Sequence, residues 1–230
     1  MRIDRVTITG ADEMTDPAEL HAMETHYPFV EWGILFSKSK EATPRYPSQK
    51  KITEISSFGL KNLSAHFCGW YSSQVMEANN FKLLEDLQAF NRVQINYNFS
   101  KSKDWQVKWI IDWAKEHPEK SIIFQSNGSN LRATSLISSC IISPNIHFLY
   151  DSSGGRGLST AEILPPYRTY TGYSGGLNPD NIRAFMQKVY TNGHPATVWV
   201  DMESGVRSEN YFDTYKVDEV LSICKEYIES

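Results

Sequence analysis

Eight strand-like runs recur along this 230-residue chain, with helix-like stretches between them, and that repeat limits the folds open to it. The strand-like runs fall at 4–8, 30–36, 63–68, 92–96, 121–125, 146–150, 168–173 and 196–201. Helical patterns separate them at 17–25, 49–58, 73–90 (broken near Asn79-Asn80), 104–116, 130–139, weakly at 160–164, and at 179–190, with a last one at 213–228. Successive strands start roughly 30 residues apart, the length of one βα unit. Eight such units in a chain of this size predict a single (β/α)₈ barrel. The rival is a doubly wound open sheet, but its G-x-G-x-x-G fingerprint is missing after the first strand. No composition shift or linker divides the chain, so one barrel domain over 1–230 is expected.

Alternation within the strands adds a second constraint, because successive side chains point to opposite faces. One face is apolar in nearly every strand: Val6 and Ile8, then Val30, Trp32 and Ile34, then Ala65 and Phe67, then Val93 and Ile95. Ile122 and Phe124, Phe148 and Tyr150, and Val198 and Val200 continue the set. This face suits burial under a ring of helices. The other face turns polar toward the strand ends, with Thr7 and Thr9, Glu31, His66 and Cys68, Gln94 and Asn96, Gln125, Asp151 and Asp201. In a barrel these residues converge at the C-terminal mouth, where such folds carry their sites.

Two glycine loops mark a part of that mouth. Ser174-Gly175-Gly176 follows the seventh strand and precedes Asn178 and Pro179, a good helix cap and first helical residue. Ser204-Gly205 follows the eighth. Barrels hold phosphate at these two loops, on open backbone amides near a helix N-terminus. Ser174, Gly175, Gly176, Ser204 and Gly205 are therefore the candidate phosphate cup.

Composition removes other classes. The net charge is −4, from 23 basic and 27 acidic residues, and no basic stripe carries interleaved aromatics, so nucleic acid is not an expected partner. No apolar run is long enough to span a membrane and the N-terminus lacks a signal-peptide core, so a cytoplasmic location is expected. Cys68, Cys140 and Cys224 lie far apart without a C-x-x-C pair, so neither a disulfide framework nor a metal site is expected. No cofactor motif appears.

With these motifs in hand, the sequence resembles the phosphoribosylanthranilate isomerase family. Ser174 to Asn181 matches that family's S-G-G-L-x-P-x-N, and Asp201 to Val206 matches its D-x-x-S-G-V, with Arg207 where the family has Glu. Asp213 to Lys216 has the form of the D-x-x-K that follows. Val93-Gln94-Ile95-Asn96 is similar to the fourth strand's V-Q-L-H, and Phe148-Leu149-Tyr150-Asp151 to the sixth strand's L-L-D. Leu35 to Ser48 is similar, with a few residues inserted, to the second strand's F-x-x-x-S-x-R.

The resemblance implies an isomerase acting on a small phosphorylated metabolite. By position, Asp151 matches the family's acid and Arg45 its carboxylate clamp. The family's base is a Cys in K-I-C-G, and here the strand reads Thr7-Ile8-Thr9-Gly10. A threonine hydroxyl does not replace a thiolate at neutral pH without further activation. Two residues on the inward face are alternative partners for Asp151: Cys68, whose pKa a His66 imidazolium would lower, and Glu31, whose pKa burial would raise. Thr9, Arg45, His66, Gln94, Asn96, Gln125 and Asp201 are expected to line the substrate. Isomerase- or lyase-type acid–base chemistry on a phosphosugar derivative is the leading expectation. A relative that binds such a ligand without turnover, and the family's own isomerase activity, are the alternatives.

Overall fold

The computed structural model describes residues 1–101, 107–140, 143–151 and 163–228. Eight parallel strands close on themselves: β1 (Arg2–Thr9), β2 (Val30–Phe36), β3 (Leu63–Cys68), β4 (Arg92–Asn96), β5 (Ser121–Ser126), β6 (Ile146–Asp151), β7 (Thr171–Ser174) and β8 (Thr197–Met202). Neighbours pair in sequence order and β8 returns to β1, with Val6 opposite Val30 on one side and Val200 on the other. This is the expected single (β/α)₈ barrel. The outer layer comprises α1 (Pro17–His26), α2 (Gln49–Ser57), α3 (Trp70–Met76), α4 (Lys82–Glu85), α5 (Val107–Glu116), α6 (Leu131–Cys140), α7 (Ile182–Thr191) and α8 (Thr214–Ile228).

Local chemistry explains several boundaries. Asp16 caps α1 by accepting from the Ala18 N–H, with Pro17 at the first position, where no N–H is needed. Ser48 caps α2 through the Lys51 N–H. The third connection breaks near Asn79-Asn80, where Asn79 has φ 53°, and leaves two short helices, the first starting at Trp70 rather than Ser73. Two expected spans shift at the glycine loop. The strand expected at 168–173 forms only over Thr171–Ser174, and the helix expected from Pro179 starts at Ile182. Asn178 does cap, but it caps a preceding turn, accepting from the Asp180 and Asn181 N–H groups at 2.9 and 3.2 Å. The start of the 104–116 pattern and most of the 160–164 pattern lie outside the described residues, and the part of the latter that is described, Ile163 and Leu164, is not helical.

The alternation read from the strands separates two apolar clusters. Val6, Ile8, Trp32, Ile34, Phe67, Ile95, Phe124 and Val200 belong to the main core between barrel and helices. Inside the barrel, Ile123, Leu149 and Trp199 form a second, separate cluster against Tyr170. Trp199 fits because β7 offers Gly172: a Cβ there would lie 2.2 Å from the indole and 2.7 Å from Leu149. Gly33 likewise makes room for Thr9 and His66.

A charged cluster lies in the same interior. Glu31 accepts from Thr7 Oγ1 at 2.8 Å, from Arg5 Nη1 at 2.6 Å and from Arg92 Nη1 at 2.8 Å. The Arg92 guanidinium lies 4.3 Å from the centre of a Trp199 ring. Burial alone would raise the Glu31 carboxyl, but Arg92, Arg5 and Thr7 outweigh it and hold it below the usual carboxylate range. The expectation of a raised, proton-carrying Glu31 is therefore reversed. Its neighbour His147 is pushed down to about 3 by burial and by Arg92 and Arg5, and stays neutral.

Glu31→Gln is expected to destabilise the fold by about 3–5 kcal/mol, because it leaves the buried Arg92 charge uncompensated. The folded carboxyl titrates below the unfolded one, so its contribution is complete above about pH 4.5 and is lost as pH falls through the folded value. Urea midpoints measured across the acid range should show that loss in the wild type and not in the variant.

Candidate functional site

The C-terminal strand ends enclose a cavity of about 490 Å³. That volume suits a small metabolite. Thr9, Arg45, His66, Cys68, Gln94, Asn96, Gln125, Asp151, Ser174, Gly175, Gly176, Asp201, Ser204 and Gly205 all line it. Glu31 does not: it faces inward as expected, but it lies at the level of Thr7, one inward position before Thr9, and is held by the two arginines. Leu35, Lys40, Tyr46, Leu149, Leu177, Met202 and Glu203 complete the lining. Glu203 and Tyr46 were missed from the sequence; the signals available were continuation of the β8 alternation two residues beyond Asp201 and adjacency to Arg45. The small-residue loop Ser152 to Gly157, with Arg156, lies outside the described residues.

The two glycine loops are joined. A Cβ on Gly205 would lie 1.9 Å from the Leu177 carbonyl oxygen and 2.6 Å from Asn178 Cβ, so only glycine lets the loops approach this closely. Gly175 and Gly176 take φ of 122° and 63°, in the region that favours glycine. Asn181 Nδ2 donates to the Gly176 carbonyl at 2.8 Å and fixes the loop from behind. Among the described residues, no hydrogen bond takes up the N–H of Gly175, Gly176 or Gly205.

Arg45 reaches this side of the mouth, donating to Glu203 Oε1 at 2.8 Å and to Ser204 Oγ at 3.3 Å. Arg207, where the resembled family has Glu, turns away from the cavity. It donates to Asp12 Oδ2 at 2.6 Å and to the carbonyls of Gly10, Pro44 and Asn210, tying the loop after β8 to the loops after β1 and β2.

Carboxyl groups concentrate beside the glycine loops. Asp151, Ser174 and Asp201 are register partners on β6, β7 and β8, so the two aspartates flank Ser174 at one level. Asp151 accepts from Gln125 Nε2 at 2.6 Å. Asp201 accepts from Thr9 Oγ1 at 2.8 Å. Burial pushes Asp201 up to about 8, with Glu203, Glu31 and Asp151 adding negative charge, and the Thr9 bond only partly offsets this. Burial also raises Glu203, against the pull of Arg45.

The His66–Cys68 pairing takes a different form from the one expected. Burial pushes His66 down to about 4, so no imidazolium stands near the thiol at neutral pH. Burial raises Cys68, whose sulfur accepts from Asn96 Nδ2 at 3.3 Å. A buried thiol held protonated is a poor base. Among the described residues, no three His, Cys, Asp or Glu side chains group as a metal site, and no helix is long and apolar enough to cross a membrane.

No protein-family model and no curated protein matches the sequence. Solved structures match it as folds. The fold is shared with phosphoribosylanthranilate isomerases. One of these, in complex with reduced 1-(o-carboxyphenylamino)-1-deoxyribulose 5-phosphate, aligns over 98% of this chain and 100% of its own with a TM-score of 0.60 at 18% identity. The N-(5′-phosphoribosyl)anthranilate isomerase of Pyrococcus furiosus gives 0.60 at 17%, covering 96% of this chain and 98% of its own. The tryptophan synthase A-subunit of the same organism gives 0.54 at 12%, covering 96% and 97%. At such identities the likeness concerns the barrel and its connections, not the chemistry.

The raised Asp201 has a measurable consequence. Its folded value of about 8 exceeds the unfolded value of about 3.9, so its contribution to stability is complete below the unfolded value and is lost as pH rises through the folded one. Denaturation midpoints should fall between about pH 4 and pH 8 in the wild type. In Asp201→Asn that slope should be largely removed.

Proposed function

We propose that this barrel binds a small phosphorylated metabolite, a phosphosugar derivative, and moves protons on it in an isomerase- or lyase-type reaction. The observation that carries this reading is the juxtaposition at the mouth: unpaired amides on two interlocked glycine loops, next to two aspartates that flank Ser174. Open amides at the loops after the last two strands suit a phosphate dianion. Arg45 and the Ser204 hydroxyl add a cation and a donor on the same side.

Proton transfer needs one group that holds a proton near neutrality and one that can take a proton, both within reach of adjacent carbons. In this reading Asp201 holds the proton and Asp151 is its counterpart, and the two exchange roles when the reaction runs backward. Thr9, at the position of the resembled family's Cys, takes no proton; its hydroxyl orients Asp201. Neither Glu31, bound by arginines, nor Cys68, held as a thiol, is needed as the base. A second reading, a ligand-binding protein without turnover, draws support from the same Thr9–Asp201 bond, since a carboxyl fixed by a donor can serve simply to shape the pocket.

Inorganic phosphate and sugar phosphates should raise the melting temperature, by roughly 3 kcal/mol of stabilisation at a hundredfold excess over Kd, whereas the dephosphorylated sugars should have no effect. Equal effects from sugars with and without phosphate would remove the cup from the account. Once a turned-over substrate is found, Asp151→Asn should bind it nearly as well as wild type and lose about 10²-fold or more in kcat. On the binding-protein reading, no sugar phosphate is turned over and the variant differs only in affinity.

A further inference from the structure

Across the cavity from the glycine loops, the wall formed by β3, β4 and β5 has a chemistry of its own. His66, Cys68, Gln94, Asn96 and Gln125 line it. Gln94 Nε2 donates to Asn96 Oδ1 at 2.9 Å, Asn96 Nδ2 to Cys68 Sγ at 3.3 Å, and Gln125 Nε2 to Asp151. These bonds orient the amides without exhausting them, since each side-chain amide carries two N–H donors and an oxygen with two lone pairs. Gln94 Oε1 and His66 Nε2 have no partner among the described residues and are themselves closed off from the cavity, so the groups left to meet a ligand are the remaining donors and acceptors of Asn96, Gln125 and the His66 ring. His66 is neutral, so its ring offers one donor and one acceptor.

The spare donors and acceptors of these lining side chains call for partners once a ligand displaces water from the wall. Hydroxyl groups, which donate and accept, meet every one of these demands. An aromatic ring meets none and would leave the amides unpaired. No cation of the cavity comes from this wall, although Lys40, in the loop after β2, lies close enough to Cys68 to act on its charge. Arg45 is held by Glu203 and Ser204 beside the glycine loops, and Lys40 lies 5.3 Å over the Tyr46 ring. Arg92 of β4 faces the interior but pairs with Glu31 outside the cavity. A carboxylated aryl group pointing at this wall would find no basic strand residue to meet it.

We infer that the end of the ligand remote from the phosphate is a polyhydroxylated chain or ring, hydrogen-bonded by the side-chain amides of β4 and β5 and by His66, and not an aryl amine. This rests on the phosphate reading above and narrows it to unsubstituted sugar phosphates.

Calorimetric titration of the purified protein with three probes tests it: inorganic phosphate, ribulose 5-phosphate and phenyl phosphate. Ribulose 5-phosphate should bind about tenfold or more tighter than inorganic phosphate, the gain expected from two or more added hydrogen bonds. Phenyl phosphate should show no such gain. In Asn96→Leu, a substitution of similar size, the advantage of ribulose 5-phosphate over inorganic phosphate should shrink by about fivefold or more. Gln94→Leu, which removes the donor that orients Asn96, gives the same comparison if the first variant folds poorly. Phenyl phosphate binding as tightly as ribulose 5-phosphate, or an advantage unchanged in the folded variants, would overturn the inference. If none of the three probes binds, the phosphate cup itself is wrong and this inference fails with it. If inorganic phosphate binds and ribulose 5-phosphate gains nothing, only the inference fails.

Discussion

A closed ring of eight strands has to fill its own axis, and everything at the mouth of this barrel rests on how that is done. Trp199 crosses the interior in the gap that Gly172 leaves, and Arg92 stacks on its ring. Glu31 then pairs with the buried Arg92 and the part-exposed Arg5, with Thr7 as a further donor. Aromatic bulk and an ion-paired cluster thus fill the space beneath the cavity. A cation buried without Glu31 would carry a large desolvation penalty, and without Trp199 the interior would lose its largest apolar side chain.

Above that plug, electrostatics differ from one side of the mouth to the other. The β6–β8 side combines amides that favour an anion with carboxyls that repel one, and the two are separated by the width of a single strand. Arg45, paired with Glu203, moderates the conflict. Bringing a dianion to the glycine loops would add to the burden on Asp201, whose proton is already retained by burial and by the charges of Glu203 and Asp151. On the proposed reading, anion binding at these loops would be coupled to the protonation of Asp201. The β3–β5 wall presents side-chain amides, a neutral imidazole and a protonated thiol, so contacts made there would depend on hydrogen-bond geometry more than on salt.

Much of this was legible in the sequence, for a physical reason. Strand alternation is a period-two signal, and it sorted Trp32 and Ile34 outward and His66, Gln94 and Asp201 inward. What alternation leaves open is depth along the axis. Glu31 and Thr9 both point inward, yet one meets Arg92 outside the cavity and the other lines the cavity wall, because the stagger of neighbouring strands sets the level. Arg45 was readable as a mouth residue through the family resemblance, whereas its pairing with Glu203 joins two loops far apart in sequence and becomes visible only when the barrel closes. Environment was equally hidden. His66 and Cys68 are two residues apart on one strand, but burial of both, not their spacing, keeps the imidazole neutral and the thiol protonated.

The contact between Gly205 and the Leu177 carbonyl carries a consequence for how this scaffold can diverge or be redesigned. Two loops that touch through a missing Cβ have lost their independence: neither can change length or course unless the other follows. The stretch from β7 to the turn after β8 is thus a single transplantable unit, inherited or grafted whole. The loop after β2 is tied to that unit through Arg45 and Arg207, whereas Gly69, at the start of the loop after β3, has open space around it and leaves that stretch open to piecemeal exchange. Libraries aimed at new ligands belong on that stretch of the rim, with the β7–β8 unit kept as a fixed anchor.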